Sequence, residues 1–126
     1  MTFARRIFTL AGIYGLLVMT PMYFLEPQMT AMGKPLSNPE SYYGFIGVTL
    51  VFQLVFLTIG RDPERFRPMM LLGVLEKASF SGAVATLGLM GRTQGITVIF
   101  AVIDAVLGAL FLLAWMRSRA TPLGGR

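Results

Sequence analysis

SYYGFIGVTLVFQLVFLTIG, residues Ser41 to Gly60, carries no charge and one amide, Gln53. A helix rises about 1.5 Å per residue, and a bilayer's hydrocarbon core of about 30 Å needs roughly 20 apolar residues. This run therefore reads as a membrane-crossing helix. IFTLAGIYGLLVMTPMYFL, Ile7 to Leu25, is also uncharged and reads the same way. Two further apolar stretches follow, interrupted by Glu76 and Lys77 in one and Asp104 in the other. The expectation is an all-α integral membrane protein: a left-handed antiparallel four-helix bundle forming a single transmembrane domain over residues 1–126. Its helices are placed at about 3–25, 39–60, 68–90 and 94–117.

The composition agrees. The chain is 55% hydrophobic and 13% charged, whereas a soluble domain is about a quarter charged. It has neither Cys nor His, which removes thiolate nucleophiles, disulfides, imidazole bases and the usual zinc and haem ligands. No catalytic set, cofactor or metal site is expected. The net charge of +5 sits beside apolar segments, where it sets orientation and meets anionic lipid, so nucleic acid is not an expected partner. Arg5 and Arg6 before the first apolar run have the order of an export signal. The run is long and no A-x-A-like site follows it, so a retained signal anchor is expected.

The joints are legible as turns. Pro21, Glu26 and Pro27 end the first span, and the stretch to Ser37 reads as a loop through Gly33-Lys34-Pro35. Ser37-Asn38-Pro39-Glu40 has the spacing of a capping box with proline in the first turn. Arg61-Asp62-Pro63-Glu64-Arg65-Phe66-Arg67-Pro68 is the most charged window, and Gly91 to Gly95 is a short turn, with the fourth span from about Gln94 to Met116 and a frayed tail over 120–126. Arg5, Arg6, Arg61, Arg65, Arg67, Arg117, Arg119 and Arg126 fall on one side, and Lys34 and Arg92 on the other. Both termini are then cytoplasmic. Tyr23, Tyr42, Tyr43 and Trp115 suit the aromatic belts. The arginines of the charged turn, Arg61, Arg65 and Arg67, read either as a positive-inside turn or as a surface facing lipid or a partner.

Glu76, Lys77 and Asp104 are costly inside a membrane, by about 2.5–3.5 kcal/mol each, and should face the bundle interior. Glu76, Ser79, Ala83 and Thr86 share one helical stripe, Lys77, Ser81, Ala85 and Gly88 the next, and Thr97, Ala101, Asp104 and Gly108 a matching stripe on the fourth span. Small residues there would let the two helices approach closely. Lys77 can reach Asp104 along its flexible stem. Glu76 points about 100° away from Lys77 and is expected to bond Gln53 or a hydroxyl. The polar cluster is thus Glu76, Lys77, Asp104, Gln53 and Ser79, with Tyr14, Thr9, Thr49 and Tyr42 as candidate cavity lining. It reads as a polar seam fixing helix partners, or as a site for a proton, a cation or the polar head of a lipophilic ligand. Met19-x-x-Met22 and Met29-x-x-Met32 have a spacing that Cu(I) sites use, but methionine is also an ordinary filler of apolar gaps.

Taken with Tyr14-Gly15, Asn38-Pro39-Glu40, Tyr42-Tyr43-Gly44-Phe45, the Arg61 to Pro68 turn, Leu75-Glu76-Lys77 and Asp104, the chain resembles a group of small uncharacterised bacterial four-helix membrane proteins. More distantly it is similar to DoxX-like proteins, some of which are partners of membrane redox systems. Leu50-Val51-Phe52-Gln53-Leu54 and Glu26 give a further similarity to the EXPERA group of sterol-handling proteins, whose intramembrane acids surround a lipophilic ligand. These resemblances imply a multi-pass protein of the bacterial inner membrane. The leading functional expectation is a non-catalytic accessory or structural component of a membrane assembly, in contact with lipid and with a larger complex or a second copy of itself. The alternative is a binder or carrier of a quinone, isoprenoid or sterol-like lipid, and the third reading is a proton-coupled transporter.

Overall fold

A computed structural model describes residues 2–93 and 95–118 of the protein. Gln94, Arg119, Arg126 and the tail 120–126 lie outside the described residues. The chain forms α1 (Thr2–Met19), a 3-10 turn (Thr20–Phe24), α2 (Glu26–Ala31), α3 (Pro39–Arg61), α4 (Arg67–Leu89) and α5 (Ile96–Ser118). Among the described residues four helical segments are long and apolar enough to cross a membrane, as in a multi-pass membrane protein, each 23 residues long when α1 is counted with its 3-10 turn. At 1.5 Å per residue that is about 34 Å, a little more than the hydrocarbon thickness.

Proline and glycine explain most boundaries. Pro21 has no N–H to continue the α1 ladder and its ring crowds the preceding turn, so α1 gives way at Thr20 to a 3-10 turn. The stretch read as loop up to Ser37 contains α2 instead. Pro27 falls in the first turn of α2, where a missing N–H costs nothing, so it starts a helix rather than preventing one. Gly33 (φ 77°) and Gly91 (φ 72°) then close α2 and α4 in the same manner. In each case the next residue's N–H reaches back five residues, Lys34 to the Met29 carbonyl at 2.9 Å and Arg92 to Leu87 at 2.8 Å. That left-handed step suits glycine. The capping box expected from Ser37 to Glu40 does not form. Asn38 is the cap residue, and its amide turns to the Glu40 carboxylate and to Ser41 Oγ (3.1 Å) rather than to the backbone.

The helices pack as two close pairs, α1 on α3 and α4 on α5, with α1 also touching α5. The start of α1 meets the end of α3, where Arg5 Nη1 donates to the Arg61 carbonyl at 3.1 Å. The start of α4 meets the end of α5, where Arg67 donates to Ser118 Oγ at 2.8 Å and to the Trp115 carbonyl at 2.9 Å. Glycine sets the α1–α3 spacing. A Cβ on Gly12 would lie 2.7 Å from Leu57 and 2.9 Å from the Gln53 carbonyl, one on Gly15 would fall on the Gln53 side chain, and one on Gly60 would strike Thr9. The core fills the end where the arginines gather. Phe8 stacks on Phe111 at 4.1 Å between centroids, and Phe56 meets Phe111 edge-on at 4.9 Å. Gly73 makes room for these rings, since a Cβ there would come within 3.2 Å of both Phe111 and Phe56.

The outer faces are apolar. Leu10, Leu17, Val51, Leu75 and Val102 are each more than half exposed, a surface that suits lipid and not water. Two exposed hydroxyls on these faces are satisfied within their own helices, Thr58 by the Leu54 carbonyl at 2.8 Å and Thr86 by that of Gly82 at 2.9 Å, an arrangement that needs no hydrogen-bonding solvent.

Candidate functional site

Lys77 is the centre of the polar cluster and is 4% exposed. Its β-carbon packs on α5 at Gly108, where an added Cβ would come within 3.1 Å. Asp104 lies one helical turn before Gly108, so the lysine stem reaches back along α5 and Nζ comes to 3.3 Å from Asp104 Oδ1. The ammonium also lies 5.2 Å from the centre of the Phe56 ring, on the side of the aromatic core. Ser81, on the same stripe of α4, donates to the Ala101 carbonyl at 3.0 Å. Small residues and one long cation thus hold α4 to α5.

The geometry at Glu76 differs from the sequence expectation. Glu76 Oε2 lies 3.7 Å from Lys77 Nζ, because the flexible lysine stem brings the ammonium between two carboxylates despite the angular offset of neighbouring residues. Glu76 makes no bond to Gln53 or to a hydroxyl, and Oε2 is buried without a hydrogen-bond partner. Gln53, 1% exposed, donates Nε2 to the Thr49 carbonyl of its own helix at 2.8 Å. That bond fixes the amide's orientation and leaves Oε1 buried and unpartnered.

These groups border a cavity of about 310 Å³. Tyr14, Tyr42, Thr49 and Gln53 line it from α1 and α3, and Glu76, Lys77, Thr97 and Asp104 from α4 and α5. Its apolar wall includes Met19, Met22, Phe45, Phe80 and Phe100. Three of the four residues expected as lining, Tyr14, Thr49 and Tyr42, are therefore present, together with four of the five cluster residues. Ser79 is not among them: it is exposed, one step round the helix, in a groove of about 550 Å³ between α3 and α4. Thr9 lies instead against Gly60. Phe80, Phe45 and Gly15 were not singled out from the sequence as lining. A Gly-x-x-Gly step in α1 signals a close helix approach, but nothing marks the two phenylalanines among other aromatic residues.

The far end of the cavity is bordered by the 3-10 turn. Tyr42 OH donates to the Met22 carbonyl at 2.7 Å, Tyr43 OH donates to Glu26 Oε1 at 2.7 Å, and Tyr23 stacks on Tyr43 at 6.1 Å. Tyrosines read as interface anchors thus also tie the turn and α2 to α3. Tyr43→Phe, which removes the bond to Glu26, should speed hydrogen exchange over residues 19–31 with α4 and α5 unchanged. Unchanged exchange there would show that the tie is unimportant. At the other end Arg67 is turned inward, its guanidinium 4.6 Å from the Trp115 ring centre, so it serves packing. Arg61 and Arg65 remain exposed, and Arg65 lies 5.4 Å from the Phe66 ring centre.

No family model, curated protein or solved structure matches the chain.

Proposed function

We propose that the protein is a multi-pass component of the bacterial inner membrane, its four spans antiparallel and both termini cytoplasmic, which holds a small lipophilic molecule in the cavity beside Lys77. The gathering of Arg5, Arg61, Arg67 and Arg117 at one end of the bundle supports the orientation through the positive-inside rule. A reporter fused after Arg126 that proved active outside the cytoplasm would contradict it.

One observation supports the ligand reading: a cavity bordered by two buried acceptors without a hydrogen bond, Gln53 Oε1 and Glu76 Oε2, the second with only the Lys77 ammonium beside it at 3.7 Å. Buried polar atoms are nearly always satisfied, and an orphan costs about 1–3 kcal/mol. A seam serving helix packing alone gains nothing from leaving two buried oxygens without a hydrogen bond beside open space. The accessory-component reading draws on the apolar outer faces, which lipid covers equally well, so the cavity favours a binder. Its volume is at the lower end of ligand pockets, roughly 300–1,000 Å³.

Protein purified in mild detergent should carry an extractable lipophilic molecule at near one per chain. Thr97→Trp, which places an indole in the cavity, should lower its retention about tenfold or more, equivalent to about 1.4 kcal/mol. Equal retention in the variant would place the molecule elsewhere.

A further inference from the structure

We infer, on the reading that the cavity binds a ligand, that this ligand is a single-chain amphiphile with a hydrogen-bond-donating head, an amine or a hydroxyl, whose chain leaves sideways between α3 and α4.

The head follows from what is missing. Both atoms without a hydrogen bond are oxygens: the Nε2 bond to Thr49 fixes Gln53 Oε1 as an acceptor, and Glu76 Oε2 meets only the Lys77 ammonium at 3.7 Å. A head with only carbonyl or ether oxygens would leave Gln53 Oε1 and Glu76 Oε2 without a hydrogen-bond donor. Formal charge points the same way. Among the described residues lining the cavity, Glu76 and Asp104 face the single ammonium of Lys77, leaving one negative charge unbalanced in a low-dielectric setting. A donor head offsets part of that charge, and a cationic amine offsets all of it.

The direction of the chain follows from the helix pairing. The tight turn at residues 62–66 joins α3 to α4 at the arginine end, but α3 then packs on α1 and α4 on α5. The space between α3 and α4 opens to the lipid side as the groove that contains Ser79. Phe45, Thr49, Glu76 and Phe80 line both the groove and the inner cavity, so the two share a wall. Phe45 and Phe80 face each other across it at 6.0 Å between centroids, tilted by 31°, and Phe45 is 46% exposed. Two aromatic side chains in loose contact can part by rotation about χ1, unlike a helix backbone. The rest of the groove is apolar, with Val48, Phe52, Leu72 and Leu75. The inner cavity alone is small for a whole amphiphile, and the groove adds about 550 Å³ for its chain.

The test uses three photoreactive probes of equal chain length, each with a mid-chain diazirine: an alkyl amine, the alcohol and its methyl ether. They are applied to the full protein in lipid nanodiscs, with labelled peptides mapped by mass spectrometry. Amine and alcohol should label residues 45–52 and 72–83 saturably, with the ether at background. A stronger signal for the amine would support recognition by the excess carboxylate charge, and equal signals would support recognition by hydrogen bonding. Ala83→Trp alters an exposed residue of the groove that does not line the cavity. It should reduce groove labelling several-fold with thermal melting unchanged. Ether labelling equal to that of the alcohol overturns the donor-head assignment. Labelling confined to residues 14–22 and 97–104, indifferent to Ala83→Trp, overturns the sideways chain while leaving a cavity ligand in place. No saturable labelling by any probe, with no co-purified molecule, overturns this inference and the ligand reading together.

Discussion

Lys77→Met will destabilise the protein by about 3–5 kcal/mol, the cost of removing one partner from a buried ion cluster. Lys77 is 4% exposed and stands between Asp104 at 3.3 Å and Glu76 at 3.7 Å. Without it two carboxylates face each other with no cation. Asp104→Asn should cost much less, about 1 kcal/mol, because Lys77 keeps Glu76 and polar contacts between membrane helices are individually weak. The neutral triple variant Glu76→Gln, Lys77→Met, Asp104→Asn should recover most of the loss, since no buried charge remains. Equilibrium unfolding in mixed micelles measures all three. A Lys77→Met protein as stable as wild type would mean that the cluster is solvated.

Gly15→Val should be the most damaging change in α1, at about 3 kcal/mol. The new Cβ would fall on the Gln53 side chain, which is 1% exposed and held to Thr49. Overpacking costs about 1–3 kcal/mol, and displacing the amide from its bond adds about 1 kcal/mol. Gly44 and Gly82 provide the control. Nothing lies within 4 Å of a Cβ at either, so Gly44→Ala and Gly82→Ala should be neutral or stabilising by up to about 1 kcal/mol. Equal effects at Gly15 and Gly82 would remove the argument that glycine sets the α1–α3 approach.

The four long apolar helices were legible because length and apolarity run together in the sequence, as in the uninterrupted run Ser41 to Gly60. Their ends were nearly as clear, because Pro39, Pro68 and Gly91 act through local backbone geometry. Lys77 and Asp104 could be paired in advance because a long stem needs only an approximate register. Glu76 was misjudged for the same reason: helical angles describe where β-carbons point, and Lys77 carries its charge four bonds further. Ser79 was assigned to the interior because it shares a helical stripe with Glu76, but Glu76 borders both the cavity and the groove, and which of the two Ser79 meets depends on where α3 lies. α2 was missed because Pro27 was read as a breaker when it stands in a first turn. The gap between α3 and α4, and hence the roles of Phe45 and Phe80, depends on helix pairing, which periodicity does not encode.

The most direct test of the account is native mass spectrometry of the protein released from its own membrane, wild type beside Glu76→Leu, which removes both the charge and the acceptor. The account predicts one small lipophilic molecule on the wild-type chain and its loss from the variant, with the helical fold retained. Wild type and variant both free of any small molecule, or both carrying the same one equally, would contradict it and return Glu76 to a role in packing.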